Sequence, residues 1–374
     1  MPTVIFYCSI LLFSTLFIYL RDKGKGKLEY YFFTILAFLL VFIPSAIRYE
    51  IGADYLNYKK IYLNIDYYNQ MEFGFYYINY FLNNIGSHYQ WSFVVFAFLY
   101  FLPLFLGYPK RNAWIIHFLF GSFFYLLSFF YVRSAIAVGF CFLALHFLLK
   151  NRFNYFLLFV FIGSLFHVSA LFVGLVGLLS FIPTSKFFKH YIFPVISIFL
   201  LIFIYLQSNV LFGIMEKILF LLKMEKYAGY FSSTKWMDAR NLGSGIGVLA
   251  KVIFSVYYIF NTKNAMKYND KNWAISVFLF LYAVGVILSA QIVIFGRLAY
   301  MFIFAMPYAA FVLWNLTDNI VKCNSFVINI NRLVVLLFAI MSLLFYIKDG
   351  FDLGGNWGES LFLNPYRTIF SKNE

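Results

Sequence analysis

Apolar runs long enough to cross a lipid bilayer recur from one end of this 374-residue chain to the other. A helix rises about 1.5 Å per residue, so about 20 apolar residues span a hydrocarbon core of about 30 Å. About twelve runs meet or approach that length: Thr3–Leu20, Tyr30–Ile47, Trp91–Leu106, Ala113–Tyr131, Ser134–Leu149, Phe153–Phe166, Val168–Ile182, Tyr191–Leu206, Ile246–Phe260, Trp273–Ile292, Leu298–Leu316 and Leu333–Ile347. Hydrophobic residues make up 63% of the chain and charged residues 12%, far from the balance of a soluble domain. Lipid offers no partners to backbone N–H and C=O groups, so runs of this kind must close their hydrogen bonds within helices. The expected fold is all-α, a polytopic integral membrane protein of about twelve transmembrane helices forming one transmembrane domain over residues 1–374. The stretches from Ala113 to Leu149 and from Phe153 to Ile182 are too long for single spans. Each is interrupted by one costly residue, Arg133 or His167, and reads as a tight helical hairpin; for the second, one long tilted helix is the alternative.

The net charge of +14 follows mainly from orientation. Arg21, Lys23, Lys25 and Lys27 directly follow the first run, which has no basic leader and no small-residue cleavage site and so reads as a retained anchor. Short loops rich in Lys and Arg face the cytoplasm. Alternation then puts Lys110/Arg111, Lys150/Arg152, Lys186/Lys189, Lys263/Lys267/Lys271 and Lys322/Arg332 on that same side, with only Asp22, Glu29, Asp270 and Asp318 to offset them. Both termini are expected outside, together with two long extracytoplasmic loops, 48–90 and 207–245, and a tail, 348–374. No basic soluble module is left to bind nucleic acid. The three cysteines, Cys8, Cys141 and Cys323, are dispersed, so neither a disulfide framework nor a zinc site is legible. Gly243-Ser-Gly-Ile-Gly247 lacks the βαβ context of a nucleotide site and reads as a flexible entry to the ninth run.

Four cationic or titratable residues sit where topology does not require them: Arg48, Arg133, His167 and Arg297, all at the expected outer ends of runs. Arginine at bilayer depth costs about 2.5–3.5 kcal/mol on insertion scales, so each needs a partner or a task. Snorkelling to headgroup phosphates accounts for any one of them; convergence on a common site accounts for all four. The first long loop adds Asp54, which follows Gly52 in a turn-forming sequence that aims its carboxylate back towards Arg48, and then Glu72. The segment from Phe73 to Ile85 has the pattern of a surface amphipathic helix. The loop is dense in tyrosine, which suits an interfacial belt and equally the stacking of sugar rings.

The ordered set Arg48-Tyr-x-x-Gly52-x-Asp54-x-x-x-Tyr58, Glu72-x-Gly74-Phe-x-x-x-Asn79, Arg133-x-x-Ile-Ala137, His167-x-Ser169-Ala-Leu and Arg297-x-x-Tyr300 resembles the EpsG family of Wzy-type polysaccharide polymerases, over roughly Arg48 to Tyr366. The resemblance implies an inner-membrane enzyme, similar in architecture to the GT-C-like lipid-sugar glycosyltransferases and O-antigen ligases. Such an enzyme joins oligosaccharide repeats carried on undecaprenyl pyrophosphate at the outer face, with no cofactor, metal or nucleotide sugar. Its expected partners are the lipid-linked donor and acceptor, membrane lipids, a chain-length regulator and a flippase.

Pyrophosphate would be the leaving group, and the chain has no Asp-x-Asp pair to hold a metal against it. Arginines suit that task because their fixed fork donates paired hydrogen bonds to phosphate and stays charged. The catalytic candidates are therefore Arg133 and Arg297 for the leaving group and His167 as first choice of base, with Asp54 and Glu72 as the carboxylate alternatives. If His167 instead contacts phosphate, a carboxylate becomes the base. The substrate-binding candidates are Arg48, Tyr58, Asn79, Tyr300, Arg240 and Tyr366, the loop with Lys235, Trp236, Asp238 and Arg240 being a candidate cover for the sugar. A lipid-linked oligosaccharide flippase, an O-antigen ligase and a membrane O-acyltransferase are the competing readings.

Overall fold

A computed structural model describes residues 2–68, 70–181, 185–221, 245–291, 295–316, 325–351 and 362–371. It is all-α, with no strand among the described residues and one isolated β-bridge, between Arg48 and Thr368. Among the described residues seven helices are long and apolar enough to cross a membrane: Pro2–Lys23, Lys27–Ile47, Gln90–Gly107, Val132–Leu149, Asp270–Ser289, Phe295–Asn315 and Phe326–Gly350. Five shorter apolar helices, Ala113–Tyr125, Phe153–Ser164, Ala170–Phe181, Ile192–Leu206 and Ile246–Phe260, occupy the remaining runs read from the sequence. The chain divides into two compact units, the first made of residues 1–177, 335–355 and 359–374, the second of residues 178–334 and 356–358.

The first unit contains α1 (Pro2–Lys23), α2 (Lys27–Ile47), α3 (Tyr55–Leu63), α4 (Phe73–Asn84), α5 (Gln90–Gly107), α6 (Ala113–Phe120), α7 (Val132–Leu149), α8 (Phe153–Ser164) and α9 (Ala170–Leu178). Both long stretches do break where the costly residues stand. Between α6 and α7 the chain runs through short π and 3-10 turns over residues 121–129, and α7 starts one residue before Arg133. Between α8 and α9 the break falls on residues 165–169, around His167. A Cβ on Gly174 would lie 3.2 Å from Val160, and one on Gly177 would lie inside the Phe156 ring. Late residues of α9 therefore meet early residues of α8, so the pair is an antiparallel hairpin rather than one tilted helix, drawn close by small residues as membrane helices are.

One end of this unit is built from chain segments far apart in sequence. The last four carbonyls of a helix have no intrahelical donor, and those of α2 find theirs elsewhere. The Tyr366 hydroxyl donates to the Pro44 carbonyl at 2.8 Å, and Gln90 Nε2 donates to Ala46 at 2.7 Å and to the carbonyl of Arg48 at 3.1 Å. The segment 362–371 adds backbone bonds, Tyr49 N–H to the Arg367 carbonyl and Gly52 N–H to the Phe362 carbonyl, both 3.0 Å. The Tyr7 hydroxyl donates to the buried Leu363 carbonyl at 2.7 Å. At the other end of α1, Arg21 is fully buried. It pairs with Asp22 at 2.7 Å and donates to the Pro109 carbonyl at 2.8 Å, although the sequence reads it only as a loop cation. Beside it the Tyr108 hydroxyl and Ser14 Oγ bracket the two ring nitrogens of buried His117, at 2.9 and 2.8 Å.

The amphipathic helix anticipated after Glu72 is α4. It buries Phe75 and Asn79 and exposes Phe73, Tyr77, Phe81 and, just past its end, Ile85. The second unit holds the helices Ile192–Leu206, Ser208–Leu221, Ile246–Phe260, Trp273–Gln291, Phe295–Phe302 and Ala305–Asn315. Its Tyr257 hydroxyl donates to Asn331 at 2.6 Å.

The turn that carries Asp54 depends on Gly52. Its φ is +96°, and a Cβ there would stand 2.5 Å from the Phe129 carbonyl oxygen. Gly52→Ala should therefore destabilise the protein by at least about 1 kcal/mol, since both the backbone and the contact resist a side chain. A lowered unfolding midpoint in detergent checks this, whereas an unchanged midpoint would show that the turn relaxes.

Candidate functional site

Arg133 stands in the first turn of α7, where backbone N–H groups lack intrahelical acceptors and the helix dipole favours anions. A cation there is disfavoured unless an anion joins it. Glu72, the residue just before α4, supplies that anion through a short ion pair with Arg133 Nη1. The guanidinium also lies 3.4 Å from Met71 Sδ and 5.6 Å from the centre of the Phe75 ring, within cation–π range. The pair is accessible, with Arg133 30% and Glu72 19% exposed in their side chains.

Tyr58 on α3 completes the group. Its phenol lies within the electrostatic reach of Arg133, and its ring packs on Phe75 at 5.5 Å. Burial raises the Tyr58 phenol above its ordinary value; the positive charge of Arg133, and further that of Arg48, pulls it back, while Asp54 adds to the rise. Phe75, nearly fully buried, stacks on Phe96 of α5 at 5.0 Å, so the platform under Arg133 is rigid. Asn79, also buried, uses its Nδ2 on the Phe75 carbonyl at 2.8 Å.

The same segment reaches the break in the second hairpin. Gly74 N–H donates to the Leu165 carbonyl at 2.8 Å, and a Cβ on Gly74 would sit 3.0 Å from the Phe166 ring. The Glu72-x-Gly74 motif is thus docked two residues ahead of His167. The imidazole of His167 faces its own turn: the Ser169 N–H donates to Nδ1 at 3.4 Å, and the Ser169 hydroxyl lies against the same nitrogen. The backbone of His167 in turn accepts from Ala170 at the start of α9.

Arg48 is placed differently. It is 3% exposed, and its guanidinium is sandwiched between Phe129 at 4.7 Å and Phe93 at 5.1 Å. Burial lowers it to about 10, with the surrounding tyrosines offsetting part of that, so it stays protonated at neutral pH. It does not pair with Asp54 as the turn suggested. Asp54 instead accepts from Asn57 at 3.3 Å and opens α3 without a side-chain cap bond. Arg48 lines a cavity of about 10 Å³ with Ser45, Tyr100 and Ser128, room for roughly one water. Tyr366 belongs to the packing around it, holding Pro44 and packing against Phe6 at 4.5 Å.

Arg48, Asp54, Tyr58, Glu72, Asn79, Arg133, His167 and Tyr366 thus all lie in the first unit, with Glu72 and Arg133 in direct contact, Tyr58 beside them and His167 next along the chain from their docking point. Arg297 and Tyr300 lie in the second unit, on the helix Phe295–Phe302, Tyr300 buried and Arg297 half-buried. Arg240 falls outside the described residues, as do Lys235, Trp236 and Asp238. Among the described residues no three His, Cys, Asp or Glu side chains gather as metal ligands would. Sequence reasoning missed Gln90, Phe93 and Phe129, which shape the surroundings of Arg48. Only a polar residue at the mouth of an apolar run, Gln90, gave any signal.

Comparison with known families supplies the decisive observation: the EpsG family model matches residues 30–368. The chain belongs to the EpsG family. Neither the curated proteins nor the solved structures contain a match to it. Membership suggests a polysaccharide polymerase role for this multi-pass chain. The match covers every motif residue of the group just described. In this EpsG-family chain, Gly74→Ala should push the 72–75 segment away from Leu165 and Phe166. Activity should fall at least tenfold while the unfolding midpoint drops only slightly, read by product assay and thermal melt on one preparation; full activity would show that the docking is dispensable.

Proposed function

We propose that the protein is a Wzy-type glycosyltransferase that joins oligosaccharide repeats carried on undecaprenyl pyrophosphate, at the outer face of a bacterial inner membrane. The observation that carries this reading is an accessible guanidinium, Arg133, held in the first turn of a membrane helix on an aromatic platform, in a chain of this family. As the glycosidic bond breaks, negative charge grows on the pyrophosphate. A fixed guanidinium and the α7 N-terminus stabilise that charge as it develops, which is where electrostatic catalysis contributes most. On this reading Arg297 is a second phosphate ligand, and the acceptor hydroxyl gives its proton to His167, Asp54 or Glu72. Arg48 contributes through the local potential and through packing, since its guanidinium is enclosed.

The loops 48–90 and 207–245, the tail 348–374 and both termini are assigned to the periplasmic side, where the donor and acceptor lipids arrive from a flippase and chain length is set by a separate regulator. Substrate contacts are assigned to Tyr58, Asn79, Tyr300, Arg240 and Tyr366. Of these, Tyr58 is supported best, through the Phe75 ring it shares with Arg133.

The test is reconstitution in vesicles with purified lipid-linked repeat units and no nucleotide sugar, scored for a ladder of products. The expected result is a ladder from the wild-type protein, reduced about 100-fold or more in Arg133→Ala and only partly restored in Arg133→Lys, which lacks the planar fork. Transport of the lipid-linked units without a ladder would identify a flippase and overturn the reading.

A further inference from the structure

The Arg133–Glu72 ion pair occupies the group that the proposed reaction needs for pyrophosphate, and its geometry points to a more specific role for the carboxylate. We infer that Glu72 is the general base of the transfer, and that donor pyrophosphate frees it by taking its place on Arg133; the inference rests on the polymerase reading above.

Three observations lead there. Glu72 is the carboxylate in contact with Arg133, and a phosphate group competes for the same N–H donors with more charge and more acceptor oxygens. Glu72 directly precedes α4, and its neighbour Gly74 is tied to Leu165, so a displaced carboxylate stays beside the group and is not lost to bulk solvent. The third concerns His167. Its Nδ1 is held by Ser169, whose N–H donates to it at 3.4 Å and whose hydroxyl lies against it; with Nδ1 accepting, the neutral ring carries its proton on Nε2. A ring in that tautomer donates from Nε2; it does not accept a hydroxyl proton there. His167 is thereby suited to hydrogen-bond a phosphate oxygen, and proton acceptance passes to a carboxylate. Asp54 is engaged by Asn57 and is not among the groups bonded to Arg133.

The step balances as follows. The acceptor hydroxyl oxygen forms a bond to the donor anomeric carbon as its proton moves to a Glu72 carboxylate oxygen. The bond from that carbon to the bridging oxygen breaks, and its electron pair leaves on the pyrophosphate, held by Arg133. The products are a glycan extended on the acceptor lipid, polyprenyl pyrophosphate, and a protonated Glu72 that returns its proton to water. One consequence is an order of events: the base becomes available only once a donor is seated, which protects lipid-linked acceptors from unproductive chemistry.

The exchange makes two predictions of opposite sign for one substitution. Glu72→Gln keeps the shape but gives up the competing charge, so the variant should bind undecaprenyl pyrophosphate several-fold more tightly than the wild type, measured in nanodiscs by titration calorimetry. Its rate of ladder formation should nevertheless fall about 100-fold or more. Glu72→Asp, which keeps a carboxylate, should retain more activity than Glu72→Gln. His167→Gln, which preserves an N–H donor, should lose less activity than Glu72→Gln. Equal or weaker pyrophosphate binding by Glu72→Gln would overturn the exchange, and a wild-type ladder rate would overturn the base assignment. Should Glu72→Gln fail to fold, Glu72→Asp decides the matter: a ladder with pyrophosphate affinity near that of the wild type is expected, and no ladder from a variant that still binds pyrophosphate while His167→Gln stays active would overturn the base assignment. A wild-type protein that binds pyrophosphate but forms no ladder would instead overturn the polymerase reading.

Discussion

The carbonyl groups left over at the end of α2 constrain this protein more than any side chain does. A helix that ends at the edge of an apolar layer must find donors for its last turn, because an unsatisfied buried carbonyl is costly. Here the donors come from Gln90, at the start of α5, and from Tyr366, more than 300 residues away in sequence, a separation of 322. The backbone bonds of Tyr49 and Gly52 to the tail extend the same closure. Once those are made, the path of the first loop is fixed. Gly52 is pressed against Phe129, α3 is launched from the turn behind it, and Tyr58 reaches Arg133.

Two arginines that look alike in sequence therefore have different duties. Arg48 is enclosed between aromatic faces, its charge spread over their quadrupoles, and among the described residues it forms no ion pair. A charge kept that way costs more than one in water, yet it sits where α2, the loop and the tail meet, and its field reaches Tyr58. Arg133 keeps part of its surface open beside its counter-ion, Glu72. Fully buried ion pairs resist exchange because separating them strands a charge, whereas a half-exposed pair is open to a competing anion.

Much of the architecture was legible in the sequence because it depends on composition over long windows. The twelve apolar runs reappear as helices, and the two breaks fall at Arg133 and at His167, where a continuous helix would have left a charged or polar side chain at depth. The motif Gly52-x-Asp54 was legible as a turn, but its carboxylate was not, since the direction of a short loop is set by contacts to Phe129 and Phe362 that no local spacing reports. Arg21 was read as a loop cation for the same reason. Its burial depends on Asp22, Pro109 and the rings of Tyr30 and Tyr108, three of them remote or on another helix. Tyr366 was legible as an aromatic of the tail; that its hydroxyl closes α2 was not.

What the sequence could least provide is the state of the imidazole. His167 stood out as a titratable residue near neutrality, and from that alone it was the natural proton acceptor. Its neighbour two residues on bears on that role, because a helix start needs its first N–H groups satisfied and the Ser169 N–H finds an acceptor in the His167 ring. With Nδ1 accepting in this way, the neutral ring carries its proton on Nε2, and on the proposed reading that nitrogen serves as a donor. A requirement of backbone hydrogen bonding, the same one that brings Tyr366 to α2, is thus what the proposed assignment of the proton chemistry to a carboxylate on a different segment rests on.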